Sequence, residues 1–116
     1  MRIGLANDDS LYIETVLKLY LSLPETPSRT GRYDRELATQ LCERKIPMET
    51  IEAAFLLASA RRLFRDPTLA PLQPIRSLHY FLPVIEEVSA GPLSPDYVKY
   101  LRLKLAPSLD QRSVTG

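Results

Sequence analysis

Apolar residues recur at helical spacing along the chain, in segments that proline-containing stretches separate from one another. The first such segment predicts a helix from about Ser10 to Ser22, with one apolar face. Asp9 or Ser10 is suited to accept hydrogen bonds from the free N–H groups of the first turn. Pro24 lies just beyond the segment and ends it.

Two further helices follow, from Tyr33 to about Arg44 and, after Pro47, from Met48 to about Arg65. Both have carboxylates near their start and arginines near their end, which is the charge order that the helix dipole favours. The middle of the third helix is apolar nearly all round. A helix of that kind is usually central to its bundle, so we expect the third helix to be the core helix.

The second half of the chain is richer in proline, and residues 66–76 predict an extended link between helices. Ser77 is a suitable N-cap for a helix from Leu78 to about Val88. Pro83 falls inside that helix and removes one of its hydrogen bonds. We therefore expect a short helix that is kinked or restarted.

Ser94 and Pro95 form an N-cap with proline at the first helical position, which predicts a last helix to about Leu105. Residues 108–116 are expected to be a frayed tail, and residues 1–107 a single helical domain. No segment of useful length alternates with period two, so no sheet is predicted. The predicted fold class is all-α, a compact bundle of about five helices with proline-rich connectors.

Composition narrows the class of protein. Hydrophobic residues make up 45% and charged residues 25% of the 116 residues, as in ordinary globular domains. The net charge of +1 excludes a polycation but leaves room for a local basic patch. Cys42 is the one cysteine, so an internal disulfide is excluded and a cytoplasmic location is expected. No apolar run is long enough to span a membrane.

Nothing in the sequence indicates catalysis. His79 is the one histidine, and nothing near it in sequence completes a catalytic set. Glu86 and Glu87 are adjacent on a predicted helix, so their carboxylates diverge into solvent. The four glycines form no phosphate-binding loop, and no spacing of ligands fits a metal. We therefore expect a protein that is not an enzyme and has neither a cofactor nor a metal.

Basic residues give the first candidate for binding. Arg61, Arg62 and Arg65 cluster at the end of the third helix, and Arg76 is placed to fold back near them. Guanidinium groups on one surface are suited to phosphate recognition. Cations at a helix C-terminus also stabilise its free carbonyls, so a structural interpretation stands beside the binding one.

The last helix gives a second candidate. Lys99 and Arg102 lie among aromatic and aliphatic residues, a mixture that occurs where nucleic-acid bases stack. Tyr97–Leu105 also has more apolar positions than one buried stripe needs, so part of this helix is expected to be exposed. An exposed apolar helix face indicates a protein partner or self-association.

The order of these elements resembles the C-terminal helical domain of DnaD-type primosomal replication proteins. The residues that carry the resemblance are the stretches 45–54 (KIPMETIEAA) and 77–85 (SLHYFLPVI), and the similarity covers about residues 11–88. The sequence departs from the family in having no tryptophan and in having Pro83 within the second stretch. The resemblance implies DNA contact at Tyr80 and Ile85, although both also fit a core.

The basic clusters and the resemblance together predict a DNA-associated accessory protein, related to replication or to a mobile element. Its basic helix ends would contact the nucleic-acid backbone. The candidate nucleic-acid-binding residues are Arg61, Arg62, Arg65, Arg76, Tyr80, Lys99 and Arg102. The alternative is a protein–protein adaptor or small homo-oligomer that uses the last helix. A regulator of a mobile-element enzyme is a third possibility that the sequence does not separate from these.

Overall fold

The computed structural model describes the backbone of residues 3–115 and the side chains of residues 8–109. Within this part, the chain forms five α-helices, one 3₁₀ turn and no strand, which confirms the all-α prediction. The helices are α1 (Ile3–Leu21), α2 (Arg32–Glu43), α3 (Met48–Leu63), α4 (Leu82–Ala90) and α5 (Pro95–Thr115). None of these helices combines the length and the apolar character needed to cross a membrane.

The centre of the bundle is α3, as its apolar circumference predicts. Every residue from Ile51 to Ala60 is buried except Glu52, which is partly buried. The helix packs against α1, α4 and α5 and against the 3₁₀ turn. Alanines at several of its positions have small side chains, which lets these neighbours approach closely.

An aromatic contact at Phe81 joins the two halves of the chain. The Phe81 ring packs edge-on against Tyr20 of α1 and Phe55 of α3, with centroid distances of 5.9 and 5.0 Å. All three side chains are nearly or fully buried. Edge-to-face pairs of this kind add to the free energy gained from area burial alone, so the 3₁₀ turn is held firmly to the core.

Asp34 fixes the start of two helical segments. One carboxylate oxygen accepts from the Gly31 N–H at 2.8 Å, just before α2, and the other accepts from the Leu78 N–H at 2.8 Å. Ser77 occupies the predicted N-cap position before Leu78, but its side chain makes no capping hydrogen bond. A carboxylate from α2 takes that role, and a partner 44 residues away is not visible in the local sequence.

The predicted effect of Pro83 is confirmed. A 3₁₀ turn at Leu78–Phe81 comes first, and α4 restarts at Leu82, so Pro83 falls in the first turn of α4. In a first turn, the missing N–H of proline has no helical partner to lose. The link before it, residues 64–77, contains no helix.

The ends of the first and last helices differ from the prediction. The first helix begins at Ile3, so Asp9 and Ser10 lie inside it, and the Asp9 carboxylate accepts from the Cys42 thiol at 3.4 Å instead of capping. The last helix continues through Pro107 to Thr115 instead of ending near Leu105. Once a helix is formed, each added residue gains a hydrogen bond, so one proline does not have to end it.

The N-cap predicted for the last helix is confirmed, since the Ser94 hydroxyl accepts from the Tyr97 N–H at 3.1 Å. Side chains from residue 110 onward lie outside the described residues. The fraying of residues 108–116 therefore stays a prediction.

Candidate functional site

Neighbouring side chains in the last turn of α3 point in different directions. Successive residues of a helix are separated by about 100° around its axis. Arg62 is consequently turned inward, toward the link that follows α3. Arg61 lies on another side of the helix, and it borders a groove between α3 and α5 together with Phe64, the residue that follows α3.

Arg62 is buried beside the partly exposed side chains of Glu25 and Tyr80, and we call these three residues the inner cluster. The Arg62 Nε lies 2.6 Å from a Glu25 carboxylate oxygen, and an Nη donates to the Tyr80 hydroxyl at 3.4 Å. The guanidinium also lies over the Tyr80 ring, 5.4 Å from its centroid. A further hydrogen bond goes to the Gln73 carbonyl oxygen. The Arg62 residue is only 8% exposed.

The inner cluster attaches the extended link to the bundle. Glu25 has a left-handed backbone (φ 66°), and its carbonyl oxygen accepts from the Ile75 N–H at 3.2 Å. Burial lowers the pKa of Arg62, but hydrogen bonds to Tyr80 and Glu25 more than offset this, so the pKa is raised. The buried guanidinium therefore stays charged, and its hydrogen bonds hold three separate parts of the chain together.

A second group, which we call the outer face, lies where α5 passes the end of α3. It comprises Phe64, Asp96, Tyr97, Tyr100, Leu103 and Lys104. The Tyr97 and Tyr100 rings are stacked, with their centroids 5.9 Å apart, and the Lys104 ammonium lies 5.3 Å from the Phe64 ring centroid. Phe64 and Tyr100 are each 52% exposed and Leu103 is 67% exposed. A shallow groove of about 340 Å³ runs between the two helices here.

Charges around the outer face are balanced. Arg61 makes two hydrogen bonds to the Glu87 carboxylate, at 2.8 and 2.6 Å. These bonds lower the pKa of Glu87. On α5, Asp96 and Lys104 carry one charge of each sign, and neither has an ion-pair partner among residues 8–109. The outer face therefore has apolar rings in its middle and no excess of positive charge.

The seven candidate nucleic-acid-binding residues do not form one surface. Arg62 and Tyr80 meet in the inner cluster, whereas Arg61 pairs with Glu87 of α4. Arg65 donates to the Ala70 carbonyl at 2.6 Å, within the link. These contacts agree with the structural interpretation of the cluster more closely than with a shared phosphate site.

The remaining candidates lie elsewhere. Arg102 pairs with Glu52 at 2.9 Å. This pair and Lys99 line a cleft of about 460 Å³ between the start of α3 and α5. Arg76 and Lys99 are exposed and have neither a hydrogen bond nor an ion pair within the side chains that the structure describes.

The exposed part of the last helix was predicted, but the position of Phe64 beside it was not. Leu101 and Leu105 are buried while Tyr97, Tyr100 and Leu103 are exposed, as the excess of apolar positions indicated. Phe64 was not singled out, because its place beside α5 depends on how α3 and α5 pack. Among the described residues, no group of three His, Cys, Asp or Glu side chains lies close enough to hold a metal ion.

Comparison with known proteins identifies no relative of this chain. No family model matches the chain, and no curated protein or solved structure is significantly similar to it. The resemblance to DnaD-type helical domains therefore stays a prediction.

Proposed function

We propose that this protein is a cytoplasmic, non-enzymatic protein-interaction module, a protein–protein adaptor or a small homo-oligomer, and that it binds through the outer face. One observation carries the proposal. Phe64, Tyr97, Tyr100 and Leu103 are large apolar side chains, each 42% or more exposed. Phe64, Tyr97 and Tyr100 line the groove between the end of α3 and α5, and Leu103 follows Tyr100 by three residues on α5.

A patch of this kind has the composition of a binding surface. Folded domains rarely expose contiguous apolar patches without a use for them, whereas single exposed residues such as Leu11 or Tyr33 need no explanation. Aromatic residues and arginine are enriched at the centres of protein interfaces, where they contribute most of the binding free energy. Phe64, Tyr97 and Tyr100, with Arg61 at the edge, match that composition.

The outer face is also ordered before binding. Its side chains start from two helices that pack on each other, and the Tyr97–Tyr100 stack and the Lys104–Phe64 contact orient the rings. Side chains that already hold one orientation lose less entropy on association. This favours a binding role over rings that are exposed by chance.

DNA association stays a prediction, and its physical support is weaker. Nucleic-acid affinity comes largely from cations that neutralise phosphates. Arg62 is nearly buried, and the ion pairs of Arg61 and Arg102 would have to be shared with phosphate. Arg76 and Lys99 are the candidates with no internal partner among the described residues, and they belong to different elements.

Site-specific photo-crosslinking tests the proposal. A benzophenone amino acid replaces Tyr100 in one variant and Gln40, an exposed residue of α2, in a matched control. Both are expressed in the native cells and irradiated. We expect a protein adduct of discrete mass from position 100 and none from position 40.

Three results would count against the proposal: adducts of equal yield from both positions, no protein adduct at all, or nucleic acid as the crosslinked species. The last result would return the DNA hypothesis to first place. Thermal unfolding of both variants checks that each is folded.

A further inference from the structure

Resting on the proposed function, we propose that the outer face binds a second copy of this chain, with the two α5 helices packed antiparallel around Tyr100. The observation behind this is a row of three side chains, Asp96, Tyr100 and Lys104, spaced four residues apart on α5. The row has an acid at one end, an aromatic ring in the middle and a base at the other end.

Rows with this spacing are the units of helix packing. Side chains four residues apart form ridges, and in the commonest class of helix contact the ridges of one helix lie along those of the other. Asp96 and Lys104 are eight residues apart, about 12 Å along the axis. A contact centred on Tyr100 therefore includes both ends of the row.

Reversing one copy makes the row complementary to itself. A twofold axis beside Tyr100 places Asp96 of each copy next to Lys104 of the other, and Tyr100 next to its own equivalent. Tyr97 and Leu103, three residues to either side of Tyr100, exchange in the same way. A twofold interface requires one patch to be self-complementary in this sense, with each residue meeting its counterpart across the axis.

The surroundings of the row leave it available for such a contact. Asp96, Tyr100 and Lys104 are exposed, and neither charge has an ion-pair partner among residues 8–109. Within the described part of the chain, α5 packs substantially on α3 alone, and Tyr100 and Lys104 stay exposed although they border the groove between the two helices. A net charge of +1 adds little repulsion between two copies.

Charge complementarity favours a second copy over an unrelated protein. A heterologous partner needs only a surface that matches the outer face, and the arrangement of the outer face itself is then unconstrained. Opposite charges at equal distances from the central ring are what pairing with a copy of itself requires. The same arrangement disfavours a parallel pair, in which Asp96 would meet Asp96 and Lys104 would meet Lys104.

The test is the oligomeric state of charge-reversed variants, measured by sedimentation velocity over a wide range of concentrations. We expect wild type to dimerise. Asp96→Lys or Lys104→Asp alone puts like charges in contact at both ends and weakens the dimer about tenfold. The double variant Asp96→Lys/Lys104→Asp restores the pairing and returns to within about twofold of wild type.

Rescue in the double variant separates pairing from a local effect. Asp96 lies in the first turn of α5, where an acid also favours the helix dipole. If Asp96→Lys lowers the dimer affinity only by weakening the start of α5, changing Lys104 as well does not restore that affinity. Failure of the double variant to recover would overturn the antiparallel pairing.

Disulfide trapping gives a second readout that does not depend on charge. In a Cys42→Ser background, Tyr100→Cys lies at the proposed axis, where the Cα atoms of two packed helices come within the range that a disulfide spans. Tyr100→Cys also removes the central ring and weakens the dimer, but a disulfide is covalent and accumulates from a weakened dimer at high protein concentration. We therefore expect a crosslinked dimer from Tyr100→Cys and none from Gln40→Cys. A wild-type chain that stays monomeric at every concentration would overturn the inference. If position 100 then photo-crosslinks to a different protein, the proposed function still stands.

Discussion

The inner cluster and the outer face both lie beside the last turn of α3, and both combine aromatic rings with a cation. They differ in what surrounds that cation. In the inner cluster, Arg62 donates to Glu25, Tyr80 and the Gln73 carbonyl and is almost fully buried. On the outer face, Lys104 contacts one ring, that of Phe64, and both remain exposed.

The difference shows how to separate a structural cation from one available for binding when residue types alone do not. A buried guanidinium with several partners in its own chain is already satisfied, and removing it breaks the hydrogen bonds that join those partners. An exposed ammonium with one partner keeps donors free for another molecule. The inner cluster thus stabilises the fold, and the outer face is the candidate binding surface.

Breaking the inner cluster should have the largest effect on stability. Arg62→Ala removes a nearly buried side chain together with its hydrogen bonds to Glu25, Tyr80 and the Gln73 carbonyl, and it leaves a gap between the link and the bundle. We expect the free energy of unfolding to fall by about 3 kcal/mol, measured by urea denaturation. Arg61→Ala is the matched control, and its exposed ion pair predicts a loss of less than about 1 kcal/mol. Equal losses in the two variants would contradict the distinction between them.

The second largest effect is expected at Asp34, the other polar residue that joins distant segments. Asp34→Ala leaves the Gly31 and Leu78 N–H groups without their acceptor. We expect a loss of about 2 kcal/mol in the free energy of unfolding. Asp34→Asn keeps one acceptor oxygen and should lose less. A urea midpoint unchanged in Asp34→Ala would show that the two caps are not needed.

The outer face should respond in the opposite way. Tyr100→Ser removes a half-exposed ring, so the free energy of unfolding should change by less than about 1 kcal/mol, while the dimer is weakened by about tenfold or more in sedimentation velocity. Leu11→Ser, at an exposed apolar position on α1, is the control and should leave association unchanged. Unfolding of Tyr100→Ser at ordinary temperature would instead make the outer face part of the core.

The smallest effect is expected from pH. Hydrogen bonds from Arg61 lower the pKa of Glu87, and those from Arg44 lower the pKa of Glu86. A lowered pKa in the folded state stabilises it above the unfolded pKa of about 4.3, and this contribution is lost as pH falls through the lower, folded value. When the free energy of unfolding is measured as a function of pH, it should therefore fall slightly less on acidification in Glu87→Gln than in wild type. An identical acid dependence in both proteins would show that the Arg61–Glu87 ion pair does not contribute to stability.

Helix content was predictable because it depends on local signals. Pro47 and the charge order fixed α3 to within two residues, and Pro83 predicted the restarted helix. The errors lie where a local signal is overruled, as at Asp9, which bonds to Cys42, and at Pro107, which α5 passes through.

The role of the arginines was not predictable in the same way. Arg61 and Arg62 are adjacent in sequence. Only the packing of α4 and of the link decides that Arg61 pairs with Glu87 at the surface and that Arg62 is buried and pairs with Glu25. These partners are 26 and 37 residues away. An exposed stripe on α5 was predictable from its excess of apolar residues, whereas its extension to Phe64 was not.

The most direct test of the central claim is a residue-by-residue map of binding by NMR. Amide chemical shifts are followed in a dilution series of the protein and in a titration with DNA. We expect concentration-dependent shifts centred on Asp96–Lys104 and Phe64, with none at Glu25, Arg62 or Tyr80. Shifts confined to Arg61–Arg76 and Tyr80 on addition of DNA, with α5 unchanged in the dilution series, would contradict it.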